Sequence, residues 1–132
     1  MNVTKAKAPT FSWPICARYR DNDLAAALSK APRDGPVLID CLTLWLSNRL
    51  LAEADLDGEI GGLDTALDRR GGMTVLVGNE VGLGIVPDNA VARRFRDAQG
   101  RLNQRLAARA DRVALVVAGL PLMLKQPLRE PS

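Results

Sequence analysis

The sequence contains no histidine, and this absence removes the most common general base of enzymes and a frequent metal ligand. Cysteine is also scarce, because Cys16 and Cys41 stand far apart and no C-x-x-C pair occurs. We therefore expect two ordinary thiols rather than a disulfide or a metal site. Chemistry that needs histidine as nucleophile, base or ligand is excluded within this chain.

Long apolar runs are absent as well. No stretch approaches the length that crosses a bilayer, and the first residues lack the apolar centre of a signal peptide, so we predict a cytoplasmic protein with no membrane span. The net charge is only +3, and its arginines are spread along one predicted helix. Because nucleic-acid-binding proteins concentrate a basic face beside aromatic residues, nucleic acid is not predicted as a partner.

What the chain does contain is an alternation of apolar runs and amphipathic segments within a length that fits one domain. Apolar runs typical of strands buried on both faces cover residues 37–41, 74–77 and 113–117. Helical patterns cover residues 24–30, 42–53, 63–69 and 90–110, the first with Asp23 as its N-cap. We therefore predict an α/β fold with a mostly parallel sheet flanked by helices.

The remaining segments are predicted to be irregular. Residues 1–22 carry scattered prolines and aromatic residues without a period, and we interpret them as a divergent N-terminal segment. Residues 54–62 are polar and contain three glycines, which is typical of a loop. The chain from Pro121 onward is predicted to be a frayed end. We assign residues 23–125 to the domain and residues 126–132 to the tail.

Asp40 ends the first apolar run and is the first candidate site residue. A carboxylate in this position of an α/β nucleotide-binding protein often holds Mg²⁺, either directly or through water. The alternative is that Asp40 caps the following helix by accepting hydrogen bonds from its first amides. The pattern by itself favours capping.

Asn79 and Glu80 follow the second apolar run at the equivalent position. An amide beside a carboxylate can orient a phosphate or hydroxyl-rich ligand, but an ordinary loop with glycine turns explains the pattern equally well. These residues belong to the stretch 78–89, called the 78–89 loop below. The loop also contains the apolar residues Val81, Leu83, Ile85 and Val86. We expect a loop this apolar to be packed, either on the core or on another subunit.

The predicted helix over residues 90–110 combines an apolar stripe with many arginines. The stripe consists of Val91, Phe95, Ala98, Leu102 and Leu106. We interpret the arginines as a solvated face, and we interpret Gly100 as a sign of close packing because glycine weakens a helix interior. Asn103 and Gln104 are either surface residues or polar interface contacts.

The segments around the candidate residues resemble one known family. Residues 79–89 read N-E-V-G-L-G-I-V-P-D-N, followed by A-R-R-F-R-D at 92–97 and G-R-L-N-Q-R-L-A at 100–107. Residues 38–48 read L-I-D-C-L-T-L-W-L-S-N. Together they resemble the bifunctional adenosylcobinamide kinase / adenosylcobinamide-phosphate guanylyltransferase family of cobalamin (vitamin B12) biosynthesis, over roughly residues 23–125.

The resemblance implies a RecA-like P-loop NTPase fold, assembled as a homotrimer, that performs two reactions. The first phosphorylates the aminopropanol hydroxyl of adenosylcobinamide with ATP or GTP. The second transfers GMP from GTP onto that phosphate through a guanylylated histidine. The resemblance also implies that Asp40 is associated with the nucleotide and with Mg²⁺, and that Asn79 and Glu80 lie on a signature loop beside the nucleotide.

The chain departs from that family in three respects. It has no G-x-x-x-x-G-K-[ST] loop, it has no histidine to accept GMP, and residues 13–17 read W-P-I-C-A where the family reads W-R-T-x-E. Because phosphoryl transfer depends on positioning and charge neutralisation, we expect the chain alone to bind nucleotide weakly and to turn over neither reaction. The first strand and the P-loop are thus expected to be missing. The alternative is a non-catalytic remnant or interaction subunit of the family.

Overall fold

The computed structural model describes residues 16–17 and 23–127. They form an α/β structure in two units, the first ending at Val77 and the second beginning at Gly78. The first unit contains β1 (Cys16–Ala17), α1 (Leu24–Lys30), β2 (Val37–Asp40), α2 (Leu42–Leu51), α3 (Leu56–Asp68) and β3 (Thr74–Val77). The second unit contains α4 (Ala90–Arg109), β4 (Val113–Val117) and β5 (Leu120–Lys125).

The first unit is built on a small parallel sheet with the order β1-β2-β3, which confirms the predicted α/β class. β2 lies in the middle, and its residues Val37 and Ile39 are almost fully buried. β3 is only partly buried, contrary to the prediction of a strand covered on both faces. The order of the strands gives the reason, since β3 lies at an edge of the described sheet.

Asp23 begins α1 as predicted, because its Oδ1 accepts a hydrogen bond from the amide of Ala26 at 2.9 Å. α1 packs mainly on α3, and both helices contribute to the core of this unit. The fully buried side chains of that core include Leu46 of α2 and Leu63 of α3. Arg49 of α2 forms a salt bridge with Glu59 of α3, and this hydrogen-bonded carboxylate raises the pKa of the guanidinium.

The loop predicted over residues 54–62 is wrong, because most of it lies in α3. Asp55 caps the helix by accepting from the amide of Gly58 at 3.2 Å. Each glycine in a helix interior costs about 1 kcal/mol relative to alanine. Burial of a side chain such as Ile60 or Leu63 contributes roughly 1.5–3 kcal/mol, so tertiary packing outweighs the local preference for a loop.

Close backbone contacts fix the entry to β3. A Cβ atom added to Gly72 would lie 2.5 Å from the backbone of Asp34 and from the carbonyl oxygen of Gly35, so that only glycine fits there without a shift. The amide of Gly72 donates to the carbonyl of Arg33 at 3.1 Å. The Arg70 side chain also donates to the carbonyl of Gly35 and, at 3.2 Å, to the carbonyl of Pro32. The loop before β2 and the turn before β3 are thereby held together.

The second unit differs from the predicted arrangement at its end. β4 pairs antiparallel with β5 in a separate two-stranded sheet, so the prediction of a third parallel strand followed by a frayed end at Pro121 is wrong. Ala118 and Gly119 connect them with φ values of 51° and 75°. Positive φ at both central residues is what a two-residue hairpin turn of type I′ requires, and the glycine adopts it without strain.

α4 begins and ends close to the predicted residues. Asn89 caps its start by accepting from the amide of Ala92 at 2.8 Å. Near its end, Lys125 Nζ donates to the carbonyls of Ala107 and Ala108 at 3.1 and 2.9 Å, which satisfies groups that a helix end leaves open. The buried residues of α4 are Ala98, Gln99, Leu102 and Leu106. Of the predicted stripe, Ala98, Leu102 and Leu106 are buried and Val91 is 53% exposed, while Gln99 is a buried polar residue that the sequence pattern did not show.

The predicted segment boundaries concern residues that are only partly described. Residues 1–15 and 18–22 of the predicted irregular segment, and residues 128–132 of the predicted tail, lie outside the described residues. The division into residues 1–22, 23–125 and 126–132 stays a prediction. Among the helices of the described ranges, none has the length and apolar character needed to span a membrane.

Candidate functional site

Asp40 is the last residue of β2, and its register partner on β3 is Val77, the last residue of that strand. The residue is exposed, so its carboxylate is open to solvent. The N-cap of α2 is Cys41, whose Sγ accepts from the amide of Leu44 at 3.4 Å. The capping role considered for Asp40 is therefore wrong, and an exposed carboxylate at the end of a central strand is free to meet a ligand.

Asn79 and Glu80 lie in the second unit, at the start of the 78–89 loop, and both are exposed. Glu80 Oε1 accepts a hydrogen bond from the amide of Gly82 at 3.0 Å. This contact between a carboxylate and a backbone amide closes a tight local turn. This hydrogen bond restricts the orientation of the Glu80 carboxylate.

Side chains of α4 hold the 78–89 loop through its carbonyl groups. Arg96 Nη2 donates to the carbonyl of Gly82 at 2.7 Å. Arg93 Nη1 donates to the carbonyls of Pro87 and Asp88 at 3.0 and 2.7 Å. The interpretation of the arginines as a solvated face is therefore wrong for the half-buried Arg96, whereas Arg93 is exposed and also donates to the loop.

Asn103 contacts the same loop from further along the helix. Its Nδ2 donates to the carbonyl of Asn79 at 3.2 Å, and its Oδ1 accepts from Nε2 of the buried Gln99 at 2.8 Å. The sequence left Asn103 undecided between a surface and an interface position. The signal that could have found this role is spacing, since residues three and four apart share one face of a helix, as Arg96, Gln99 and Asn103 do.

Three of the four apolar residues of the loop are exposed, and the fourth, Val81, is partly exposed. Ile85 is 97% exposed, Leu83 81% and Val86 62%. The expectation that they pack on the core is therefore wrong. The alternative, that they pack on another subunit, stays a prediction.

The described residues contain no group of three or more histidine, cysteine, aspartate or glutamate side chains that could hold a metal ion. A single exposed carboxylate such as Asp40 nevertheless fits Mg²⁺ chemistry. Magnesium keeps several waters and is commonly bound by one or two carboxylates together with the phosphates of a substrate. Asp40 supplies one ligand of this kind, and its role toward Mg²⁺ stays a prediction.

Parallel strands in the first unit, followed by exposed polar residues, define an α/β protein with candidate ligand-binding residues after its strands. The model of the cobinamide kinase / cobinamide phosphate guanyltransferase family matches residues 10–124. The chain belongs to this family. The resemblance drawn from residues 38–48 and 79–107 is thereby confirmed at the level of the family.

Named relatives agree with this assignment. The bifunctional adenosylcobalamin biosynthesis protein CobP of Pseudomonas aeruginosa is 48% identical over 105 residues, which cover 77% of this chain and 61% of that relative. The corresponding CobU protein of Salmonella typhimurium is 43% identical over 125 residues, or 83% of this chain and 67% of the relative. CobU of Escherichia coli is 40% identical over 104 residues, or 67% of this chain and 58% of the relative. The chain thus spans about three-fifths of the P. aeruginosa relative.

Proposed function

We propose that this chain carries part of the nucleotide site of an enzyme of cobalamin biosynthesis. The enzyme would phosphorylate adenosylcobinamide with ATP or GTP and then transfer GMP from GTP to adenosylcobinamide phosphate. The observation that carries this proposal is the family match over residues 10–124, which includes the strand that ends at Asp40 and the whole 78–89 loop. A RecA-like fold and a homotrimeric assembly are further parts of the proposal.

Asp40, Asn79 and Glu80 are the residues we assign to nucleotide binding. Asp40 would bind Mg²⁺ that accompanies the triphosphate, because it is exposed and does not cap α2. Mg²⁺, when bound, neutralises charge on the phosphates. Glu80, held by the amide of Gly82, and its neighbour Asn79 would hydrogen-bond polar groups of the nucleotide. All three side chains act by binding and orienting, since none of them is a covalent nucleophile in the proposed scheme.

The chain alone is proposed to lack turnover. The sequence contains neither a G-x-x-x-x-G-K-[ST] loop to cradle phosphates nor a histidine to carry GMP. Carboxylates repel a triphosphate unless a cation or backbone amides compensate, so the affinity without Mg²⁺ should be low. Detection of a stable guanylyl adduct on this chain after incubation with radiolabelled GTP would overturn this part of the proposal.

A second candidate function is that of a non-catalytic interaction subunit of the family. It is favoured by the exposed apolar side chains of the second unit, among them Ile85 of the loop and Leu120 of β5. The two candidates are separated by whether the chain binds nucleotide. An interaction subunit would mix with intact family members without any response to GTP.

The nucleotide proposal is tested by melting the full chain with and without Mg²⁺ and GTP. A ligand that binds only the folded state raises the melting temperature, and 100 times its Kd corresponds to about 2.7 kcal/mol. We expect a shift with Mg²⁺ and GTP together, no shift with Mg²⁺ alone, and loss of the shift in Asp40→Asn. Asp57→Asn, which removes another exposed carboxylate of the first unit, is the matched control and should keep the shift. An unchanged shift in Asp40→Asn would remove Asp40 from the site.

A further inference from the structure

Two contacts between α4 and the 78–89 loop enclose the segment that carries Asn79 and Glu80. We infer that Asn103, oriented by Gln99, and Arg96 are positioning residues that fix the backbone of this segment. The geometry of the contacts carries the inference. Only the statement that the fixed segment serves a nucleotide rests on the proposed function.

The first contact depends on a pair of side-chain amides. A side-chain amide has a donor end and an acceptor end, and Asn103 uses both. Its acceptor end faces Gln99 Nε2 at 2.8 Å, so its donor end is directed to the carbonyl of Asn79 at 3.2 Å. With the partner Gln99 in place, only one orientation of the Asn103 amide serves both contacts.

Gln99 is an unusual residue for its position, and this supports a specific task. It is 0% exposed and lies among the buried positions of α4, where neighbours such as Ala98 and Leu102 are apolar. A buried polar group destabilises a protein unless it is hydrogen-bonded, and Gln99 Oε1 has no partner among the described residues. An apolar side chain would fill such a position without this cost. The function that glutamine can add here is the orientation of Asn103.

The second contact involves both backbone polar groups of Gly82, its carbonyl and its amide. The carbonyl of Gly82 accepts from Arg96 at 2.7 Å, while the amide of Gly82 donates to Glu80 at 3.0 Å. Fixing Gly82 from the helix therefore also fixes the donor that holds the Glu80 carboxylate.

The two contacts together hold Asn79 at one end and Gly82 at the other, and the side chains of Asn79 and Glu80 remain exposed. A site whose backbone is already ordered loses less conformational entropy when a ligand binds. The inferred role of Gln99, Asn103 and Arg96 is therefore to preorganise this segment. They act through the loop and are not placed in contact with a ligand.

Backbone amide exchange of the full chain tests the positioning role directly. Asn103→Asp preserves the acceptor for Gln99 and replaces the donor with a carboxylate oxygen that faces the carbonyl of Asn79. We expect roughly tenfold faster exchange of the Gly82 amide, which donates to Glu80, as the equivalent of one lost hydrogen bond, with unchanged exchange over Ala98, Leu102 and Leu106. Gln104→Glu makes the same chemical change at an exposed position of the same helix and should alter neither region.

Arg96 supplies an independent variant with a conservative rescue. Arg96→Met removes the donor to the Gly82 carbonyl and should accelerate exchange of the Gly82 amide, whereas Arg96→Lys retains a donor and should restore much of the protection. Arg94→Met removes an exposed arginine of α4 and serves as the control for charge. Unchanged loop exchange in both Asn103→Asp and Arg96→Met overturns the inference. Equal acceleration throughout α4 also overturns it, because that result shows a general structural role.

Titration with Mg²⁺ and GTP separates this inference from the proposed function. If the unmodified chain binds, Asn103→Asp should weaken binding roughly tenfold, and Arg96→Lys should weaken it less than Arg96→Met. If the unmodified chain does not bind, the proposed function fails, while local loss of loop protection still supports the positioning role. If Asn103→Asp and Arg96→Met accelerate amide exchange in the loop but leave the affinity for Mg²⁺ and GTP unchanged, the statement that the fixed segment serves the nucleotide is overturned.

Discussion

The two units of this chain differ in how far they bury the apolar side chains of their strands. In the first unit, the central strand β2 buries Val37 and Ile39, and helices supply fully buried residues such as Leu63. In the second unit, the strands β4 and β5 leave most of their large apolar side chains exposed, including Leu120 at 71% and Leu124 at 61%. A two-stranded hairpin alone is only marginally stable in water.

This difference teaches that strand formation and burial are separate steps. β4 and β5 pair through their backbones, with a register shift between Val113 and Ala114, and form no buried face, whereas β2 has neighbours on both sides within its sheet. The first unit therefore buries apolar residues of both its strands and its helices, whereas the buried residues described in the second unit lie in α4. Substitutions at matched positions can test this comparison.

The largest loss of stability is expected when a core side chain of the first unit is shortened. Leu63→Ala removes a 0% exposed side chain and should lower the free energy of unfolding by about 2–5 kcal/mol. Leu124→Ala makes the same change at an exposed position of β5 and should stay within about 0.5 kcal/mol. Denaturant unfolding of both variants provides the measurement. A comparable loss in Leu124→Ala would break the comparison, since it would show that β5 is covered in solution.

An intermediate effect is expected where two backbone segments meet in the first unit. Gly72→Ala places a Cβ atom 2.5 Å from backbone atoms of Asp34 and should destabilise the chain by about 1–3 kcal/mol. Gly61→Ala is the contrasting variant, because it lies in α3 with no atom within 4 Å of the added group. That change should stabilise the chain by up to about 1 kcal/mol, since alanine favours a helix. Equal effects in thermal melting would contradict this account of the two glycines.

The smallest expected effect concerns the start of α4 in the second unit. Asn89→Ala removes the acceptor for the amide of Ala92 and should cost about 1 kcal/mol of helix stability. Asn89→Ser keeps a capping oxygen and should lie close to the unmodified chain. Amide exchange of the first turn of α4 would measure the difference. Indistinguishable exchange in the two variants would show that the cap does not limit this helix.

Local chemistry allowed several parts of the fold to be predicted. Asp23 and the helix after it, the strand ending at Asp40, and α4 follow from capping residues and apolar periodicity. α3 was partly missed because glycines favour a loop locally, while burial of Leu63 acts only in the folded chain. The strand β5 was missed because its pairing with β4 is not visible in either segment alone.

The candidate residues could be singled out from the sequence, whereas the contacts that hold their backbone could not. Asp40, Asn79 and Glu80 could be singled out because they follow apolar strands, and the family assignment drawn from their surroundings is confirmed. Their assignment to nucleotide binding stays a prediction. The donors Arg96 and Asn103 were not recognised, because their spacing shows that they share a helix face and does not show whether that face meets water or a loop.

The sequence by itself determined the α/β class, most of the helices and the family, because these depend on short-range pattern and on residue identity. It also determined that no histidine chemistry occurs within this chain. Tertiary structure alone decided that Gln99 is buried and that Asn103 donates to the carbonyl of Asn79. The physical reason is that hydrogen-bond partners and burial are set by groups distant in sequence, whose approach no local pattern encodes.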